Sequence, residues 1–554
     1  MEPAQQLVDR PGGAAHAQSP SILAGPRRFE PRAIAIPVAI VAIAAVLRLW
    51  GIEHDAQNPY YDAAVHSMGL SWHNLFFGAL DPSGRLGIDK PPIDLWLQVA
   101  STKLLGFTRT ALALPEALGG IAAVALLYAA VTRACGRLAG GLAALALAVM
   151  PIAVLTSRSD TMDSVMSALL IAALWSSIVA VQSRQARYVL LSAALVGVAF
   201  NVKLTQALVP LPALALMWWA ASRPRKRVAL GAAAASVFVV VAMAWAFVAS
   251  LTPLSGRPFP IGSHTGSIYR AMFVFNGIER LTGASHELVP YGASSPPGLG
   301  RLLGSGQPHY ATLIGLELVA AVALLIAAGV LWWRDRDPAR RGFITEPATP
   351  QERVVRWLIA TLIVWLATAY VLFSFTGHLQ PRYLEAMSPA VAAVLGIPTA
   401  YLLARAAGTP RLRLALLAVL SLALLAGPAK ASIDLVEERA GDANPSGAGN
   451  QYGAYLRAHR HGARYEVAAS NPLAVVGLIS QDGQPVLILR TIDGELVSVN
   501  ELRRLVHERA VRFVLIPNPC TTGKHCASTT AWSVRNSVMI HPGLYRYFAP
   551  SRLR

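Results

Sequence analysis

Charge is what this chain has least of. Only 14% of its 554 residues are Asp, Glu, Lys or Arg, against 54% hydrophobic, and mean hydropathy is +0.46. That balance excludes a water-soluble domain. No internal repeat is visible and ionisable residues avoid the middles of the apolar runs, which argues against a transporter or lipid flippase. No cleavable signal peptide is expected, because the first apolar run begins late and is long enough to span.

What is present is a ladder of apolar runs, each near the ~20 residues that cross a bilayer core. Hydropathy predicts about eleven spans, at roughly 33–51, 111–132, 138–156, 162–181, 187–200, 205–221, 228–251, 311–333, 357–375, 385–404 and 414–430. Basic residues fall in alternate loops: Arg133 and Arg137, then Arg184 and Arg187, Arg223 to Arg227, Arg334 to Arg356, and Arg405 to Arg413. These loops are expected on the cytoplasmic side. The formal charge of +18 is largely this rim, which would touch anionic membrane lipid; nucleic acid is not implied.

Residues 1–32 read as a disordered cytoplasmic arm and 33–431 as the membrane domain, with outer loops at 52–109 and 252–310. The odd number of spans puts 432–554 outside. There the composition turns ordinary, and strands at Tyr465–Ala469, Pro485–Leu489 and Val511–Ile516 alternate with helices around Pro472–Ile479 and Val499–Arg509, predicting a small α/β domain. Cys520 and Cys526 lie in it, and an extracytoplasmic setting permits a disulfide; two free thiols or a metal site with His525 are the alternatives. Cys135 reads as an inert small apolar residue.

The unusual polar residues gather on the outer side. In the first outer loop, Tyr60–Leu80 and Pro92–Gly106 are amphipathic, as suits helices lying in the interface. Between them the sequence GRLGIDKPPIDLW sets Asp89 and Lys90 ahead of a Pro-Pro pair that fixes the backbone. The next outer turn, TSRSDTMD, carries Arg158, Asp160 and Asp163; then come Lys203 in NVKLTQ, and His378, Gln380, Arg382 and Tyr383 in TGHLQPRY. Bland readings exist for each: Asp160 or Asp163 as a helix cap, Lys203 as a snorkelling anchor, the last turn as local capping. Together, basic groups that hold a phosphate and carboxylates that deprotonate a hydroxyl or bind a metal suit sugar transfer from a lipid phosphate.

The stretch from Asn58 to Phe107, NPYYDAAVHSMGLSWHNLFFGALDPSGRLGIDKPPIDLWLQVASTKLLGF, resembles the first outer loop of bacterial family 39 glycosyltransferases of the YkcB type, in the GT-C superfamily with protein O-mannosyltransferases and the lipid A aminoarabinose transferase. FNVKLTQALVPLPALAL, GSHTGSIYRAMFVFNGIERLTG, PRYLEAMSPAVAAVLGI and NELRRLVHERAVRFVLI extend the resemblance over nearly the whole chain.

The resemblance implies a GT-C bundle and transfer, with inversion, of a sugar from a polyprenyl phosphate to a hydroxyl of an envelope glycan, lipid or protein. Asp89 and Lys90 match the family's acid-Lys-Pro element, Asp163 an Asp opening the fourth span, Lys203 a Lys after the fifth, and Arg382-Tyr383 an Arg-Tyr before the tenth. Where related transferases carry an Asp-Glu pair this chain has Gln57-Asn58, so the base is expected among Asp89, Asp62 and Asp55, in that order. Near His378, a usual His-Pro-Tyr-Tyr gives way to Gln380-Pro381-Arg382-Tyr383. Lys90, Arg158, Lys203 and Arg382 would then hold the donor phosphate, and Tyr60, Tyr61, Asp160, Asp163, His264, His378, Gln380 and Tyr383 the substrates. A divalent metal on Asp89 and His378 is compatible without being required. The other reading left open is a non-catalytic bundle that holds an envelope domain.

Overall fold

The computed structural model describes residues 31–55, 57–283, 296–303, 309–334, 349–406, 415, 426–440, 450–491, 494–517 and 527–553. Among them, eight helices are long and apolar enough to cross a bilayer: Ile34–His54, Arg109–Cys135, Asp163–Ser183, Ala186–Leu208, Pro224–Ser250, Ile314–Arg334, Pro350–Phe375 and Pro381–Arg405. The expected span 138–156 is two helices, Arg137–Ala148 and Pro151–Ser157, bent by 62°. Pro151 opens the second, where its missing N–H costs nothing but cannot continue the first. Leu211–Ala221 is shorter than a full span. Most of the expected span 414–430, with Cys520, His525 and Cys526, lies outside the described residues.

Packing ranks the helices. Pro381–Arg405 is 89% buried over its most apolar stretch and forms the centre, whereas Ile34–His54 at 17% and Pro224–Ser250 at 22% are peripheral. Close approach at the centre needs small residues: a Cβ on Gly396 would stand 2.3 Å from the Ala143 backbone nitrogen.

The first loop folds into three short helices rather than the two expected, Pro59–Met68, Trp72–Phe77 and Ile93–Leu105. Asn58 caps the first, its side chain accepting from Tyr60 N at 3.1 Å, and Ser71 caps the second, accepting from Asn74 N at 3.1 Å. Leu70, Trp72, Leu97 and Leu104 stay exposed, as they would on helices lying in an interface. Strand β1 (Leu86–Gly87) pairs in parallel with β2 (Phe259–Pro260). This draws the loop after residue 250 beside Asp89. That loop continues into a π-helix, Arg270–Glu279.

The C-terminal unit is a five-stranded mixed sheet, β3 (Ala468–Ala469), β4 (Leu487–Ile488), β5 (Phe513–Leu515), β6 (Ser537–His541) and β7 (Leu544–Tyr547), in the order β4-β3-β5-β7-β6. β3 runs parallel to β4 and β5, and β7 antiparallel to β5 and β6. The unit is not tethered loosely. His66 Nδ1 is 3.2 Å from the Ser480 carbonyl, Arg85 pairs with Glu501 at 2.5 Å, and a Cβ on Gly483 would strike His66 Nε2 at 2.4 Å. Leu456, Val467, Val475 and Leu478 are continuous with the core of the bundle, while the far side of the sheet has a separate core around Leu502, Val514 and Trp532.

Candidate active site

Three chain segments distant in sequence meet at Asp89. Lys90 Nζ donates to Asp89 Oδ1 at 2.8 Å and to the Tyr61 hydroxyl at 3.1 Å, and the Tyr60 hydroxyl donates to the same carboxylate at 3.2 Å. From the end of the π-helix, Arg280 Nη2 lies 3.6 Å from Asp89 Oδ2, while its Nη1 donates to the Tyr383 hydroxyl at 2.8 Å. Asn276 fixes the join: its amide donates to the Asp89 carbonyl at 2.6 Å, and its Oδ1 accepts from Arg280 Nε at 3.0 Å.

Backbone bonds bring the third segment in. Gly377 N donates to the Leu281 carbonyl at 2.8 Å and His378 N to the Arg280 carbonyl at 3.2 Å. A Cβ on Gly377 would lie 2.3 Å from Gly283 N, so only glycine allows that approach. The Arg382 guanidinium is 6.0 Å from the centre of the Tyr383 ring, and His378 meets that ring edge-on at 6.3 Å.

The electrostatics follow from this gathering. Burial pushes the Asp89 carboxyl up, but the charges of Lys90 and Arg280 pull harder, leaving it at about 2. His378 is lowered to about 4 by burial and then by Arg280, Arg382 and Arg301, so its ring is neutral at pH 7. Lys90, Arg280 and Arg382 against one carboxylate leave the site net positive, which suits an anionic ligand.

A second group begins on the same helix as Tyr60 and Tyr61. Asp62 stands against Asp160; burial, and then the Asp160 charge, raise the Asp62 carboxyl well above its ordinary range. Asp160 Oδ1 also accepts from Asn58 N at 3.0 Å, and the Gln98 amide donates to the Asp160 carbonyl at 3.1 Å and to Asp94 at 2.8 Å. Asp94 hydrogen bonds with Glu116 and is raised to about 6, mainly by burial. Beside them Lys203 pairs with Asp163 and donates to the Thr161 carbonyl at 2.8 Å. Met162, just before Asp163, and Leu204, just after Lys203, both hold positive φ, 69° and 46°. Non-glycine residues adopt that conformation only where the surroundings impose it.

Several sequence expectations change. Arg158 and Asp55 are fully buried on each other, Nε to Oδ2 at 2.7 Å and Nη2 to Oδ1 at 3.0 Å, with Arg158 Nη1 also on the Leu47 and Trp50 carbonyls. A pair closed in this way is a brace between the first loop and the turn at 158, neither base nor phosphate ligand. Lys203 is likewise turned to Asp163 rather than to the group around Lys90. His264 is exposed on the turn beyond β2, and the Gln380 side chain is buried. A metal on Asp89 and His378 does not fit the residues present: two cations already occupy the Asp89 carboxylate, and no group of three His, Cys, Asp or Glu able to hold an ion occurs among the described residues.

Gln57 and Asn58, which stand where an Asp-Glu pair is expected, have structural work. Gln57 donates to the Arg158 carbonyl at 3.5 Å, and Asn58 caps its helix. Sequence reasoning missed Arg280, Asn276, Asp94 and Glu116. Arg280 and Asn276 lie within NGIERLTG and Asp94 within PPIDLW, so position in an already notable motif was the available signal; Glu116 was legible as a lone acid inside an apolar run.

Residues 89–246 match the model of the family described as dolichyl-phosphate-mannose-protein mannosyltransferase. YycA and YkcB from Bacillus subtilis (strain 168), each named as a candidate mannosyltransferase, are 36% and 34% identical over 265 and 247 residues. Those matches take in 48% and 44% of this chain, and only 38% and 34% of the lengths of the relatives. Among solved structures, ArnT from Cupriavidus metallidurans bound to undecaprenyl phosphate superposes with a TM-score of 0.52 over 86% of this chain and 88% of that one, at 15% identity. The oligosaccharyltransferase AglB from Archaeoglobus fulgidus, in complex with an inhibitory peptide and a dolichol-phosphate, gives 0.52 over 87% and 69%, at 13% identity. The chain is a multi-pass membrane protein that shares its fold with these two structures, and its residues 89–246 are similar to the mannosyltransferase family.

Proposed function

We propose that the protein transfers a sugar from a polyprenyl-phosphate-linked donor to a hydroxyl of a cell-envelope acceptor, with inversion, on the extracytoplasmic face of the inner membrane. The observation that carries this reading is the convergence of Lys90, Arg280 and Arg382 on one loop face around Asp89, with Tyr60, Tyr61 and Tyr383 closing the group. The donor class is supported by the polyprenyl phosphates in the ArnT and AglB structures, and the sugar, mannose, by the names of the two Bacillus relatives.

In the proposed step the acceptor oxygen attacks the anomeric carbon as its proton passes to a carboxylate. The bond from that carbon to the phosphate oxygen breaks, and the leaving phosphate keeps the electron pair. Lys90, Arg280 and Arg382 stabilise the charge that grows on it. The base is Asp62 rather than Asp89. A carboxylate held near 2 by two cations has little affinity for a proton, whereas burial and Asp160 give Asp62 a strong one. Asp89 then orients Lys90 and Arg280.

The test is the pH dependence of kcat/KM with polyprenyl-phosphate-mannose as donor. A base must be ionised to act, so with Asp62 transfer rises with pH through a limb above the ordinary carboxylate value of about 4. Asp62→Asn abolishes transfer. Activity already full at pH 4 assigns the role to Asp89, and an Asp62→Asn variant as active as the parent removes Asp62 from the chemistry.

A further inference from the structure

A cavity of about 290 Å³ opens in the C-terminal unit, between the helix Gly453–His459, the start of β5 and the chain leaving β7. Arg509, Arg512 and Arg546 line it together with His459, His461 and Tyr455, and among the described residues no acidic side chain does. Arg512 is half-buried. Three guanidinium groups lining one cavity favour an anion in it.

The other walls are shaped to match. His459 lies flat on Tyr455, ring centres 4.1 Å apart at 22°, with its Nδ1 2.8 Å from the Tyr455 carbonyl. That fixed aromatic stack offers a surface for the C–H face of a sugar ring. Arg509 and His461 both hold positive φ, 59° and 46°, so two of the lining residues are presented from backbone that non-glycine residues rarely adopt. The volume is at the lower end of small-ligand sites, which begin near about 300 Å³, and admits one monosaccharide with its charged group.

We propose that this cavity binds an anionic sugar unit, one bearing a phosphate or carboxylate, belonging to the acceptor. The identification with the acceptor rests on the transferase reading above; binding of the anionic sugar does not. The arginines hold the anion and the Tyr455–His459 stack holds the ring. The site would thereby select charged envelope polymers over neutral ones and keep the strand on the protein between transfers.

Calorimetry on the full chain in neutral detergent tests this with mannose 6-phosphate, glucuronate and uncharged mannose as probes. At least one charged sugar is expected to bind about tenfold or more tighter than mannose, and Arg509→Gln and Arg512→Gln each to weaken it about tenfold. Arg503→Gln, on an exposed position of the neighbouring helix, should leave it unchanged. Arg509 is exposed, so that variant keeps the test sound if Arg512→Gln misfolds. Equal affinity for mannose, or indifference to both pocket substitutions, overturns the proposal. So does displacement of the charged sugar by phosphatidylglycerol added to the micelles, which would make the cavity a lipid headgroup site. Because the readout is binding, a failure here leaves the transferase reading standing, and an inactive enzyme that still binds separates the two in the other direction.

Discussion

Lys90→Met lowers transfer from polyprenyl-phosphate-mannose by about 10²–10³-fold, the loss expected when one preorganised charge on a leaving group is removed. Methionine keeps much of the length of the side chain and deletes only the ammonium, so the packing over Tyr61 survives while the charge does not. Two consequences follow locally. The donor phosphate loses a cation, and Asp89 loses the nearer of its two cationic partners, 2.8 Å away, leaving Arg280 at 3.6 Å beside the Tyr60 hydroxyl. The Asp89 carboxyl therefore rises, and its remaining charge repels the donor phosphate. The loss should fall mainly on kcat, because the charge on the bridging oxygen develops as the bond breaks. Liposome-reconstituted protein assayed under saturating donor provides the measurement, with thermal unfolding to confirm that the variant is folded. Transfer within about twofold of the parent would remove Lys90 from the site and with it the phosphate assignment.

The second large effect is on stability. Asp55 and Arg158 are each 0% exposed and bound through two contacts, so breaking the pair strands a charge in a closed environment. Arg158→Met or Asp55→Asn alone is expected to destabilise the fold by about 3–5 kcal/mol. The double variant should recover much of that, because neither charge is then left unpaired. Unfolding in detergent micelles, followed for the parent, both single variants and the double variant, gives the coupling directly. If the single variants unfold with the parent and only transfer is lost, Arg158 is a ligand of the donor after all and the brace is secondary.

The bundle was largely legible in the sequence, because crossing a bilayer demands long uncharged runs that hydropathy reads directly. The breaks were less so. The apolar stretch 138–156 reads as one span, yet the chain bends 62° inside it, and only Pro151 signalled the place. In the first loop, amphipathicity found helical segments but not the interruption at Gly69–Ser71. In the C-terminal unit the apolar runs marked β3, β4 and β5, whereas the β6–β7 hairpin, with exposed Val538 and Met539, lacks a buried run to announce it.

The site was legible residue by residue but not pair by pair. Polar residues at the ends of spans are conspicuous, so Asp89, Lys90, Asp163 and Lys203 stood out. Which of them touch is decided by three-dimensional packing. Asp55 and Arg158 are 103 positions apart, and nothing local to either shows that they neutralise one another. Arg280 was hidden for the opposite reason, since an Arg after a Glu in a loop is ordinary until the π-helix carries it to Asp89.

Wide winding also makes the spacing of that helix a discrete quantity. Ten residues coiled with the i to i+5 pattern hold Asn276 on the Asp89 carbonyl and hand Arg280 to Tyr383 in a single register. Excising one residue upstream of Asn276 while the wide winding persists would move everything beyond it one position along the coil, about a quarter turn. The guanidinium would then face away from the carboxylate with every side chain of the cluster still encoded. Activity in this fold is thus exposed to length changes in a loop as much as to substitutions at its charged residues.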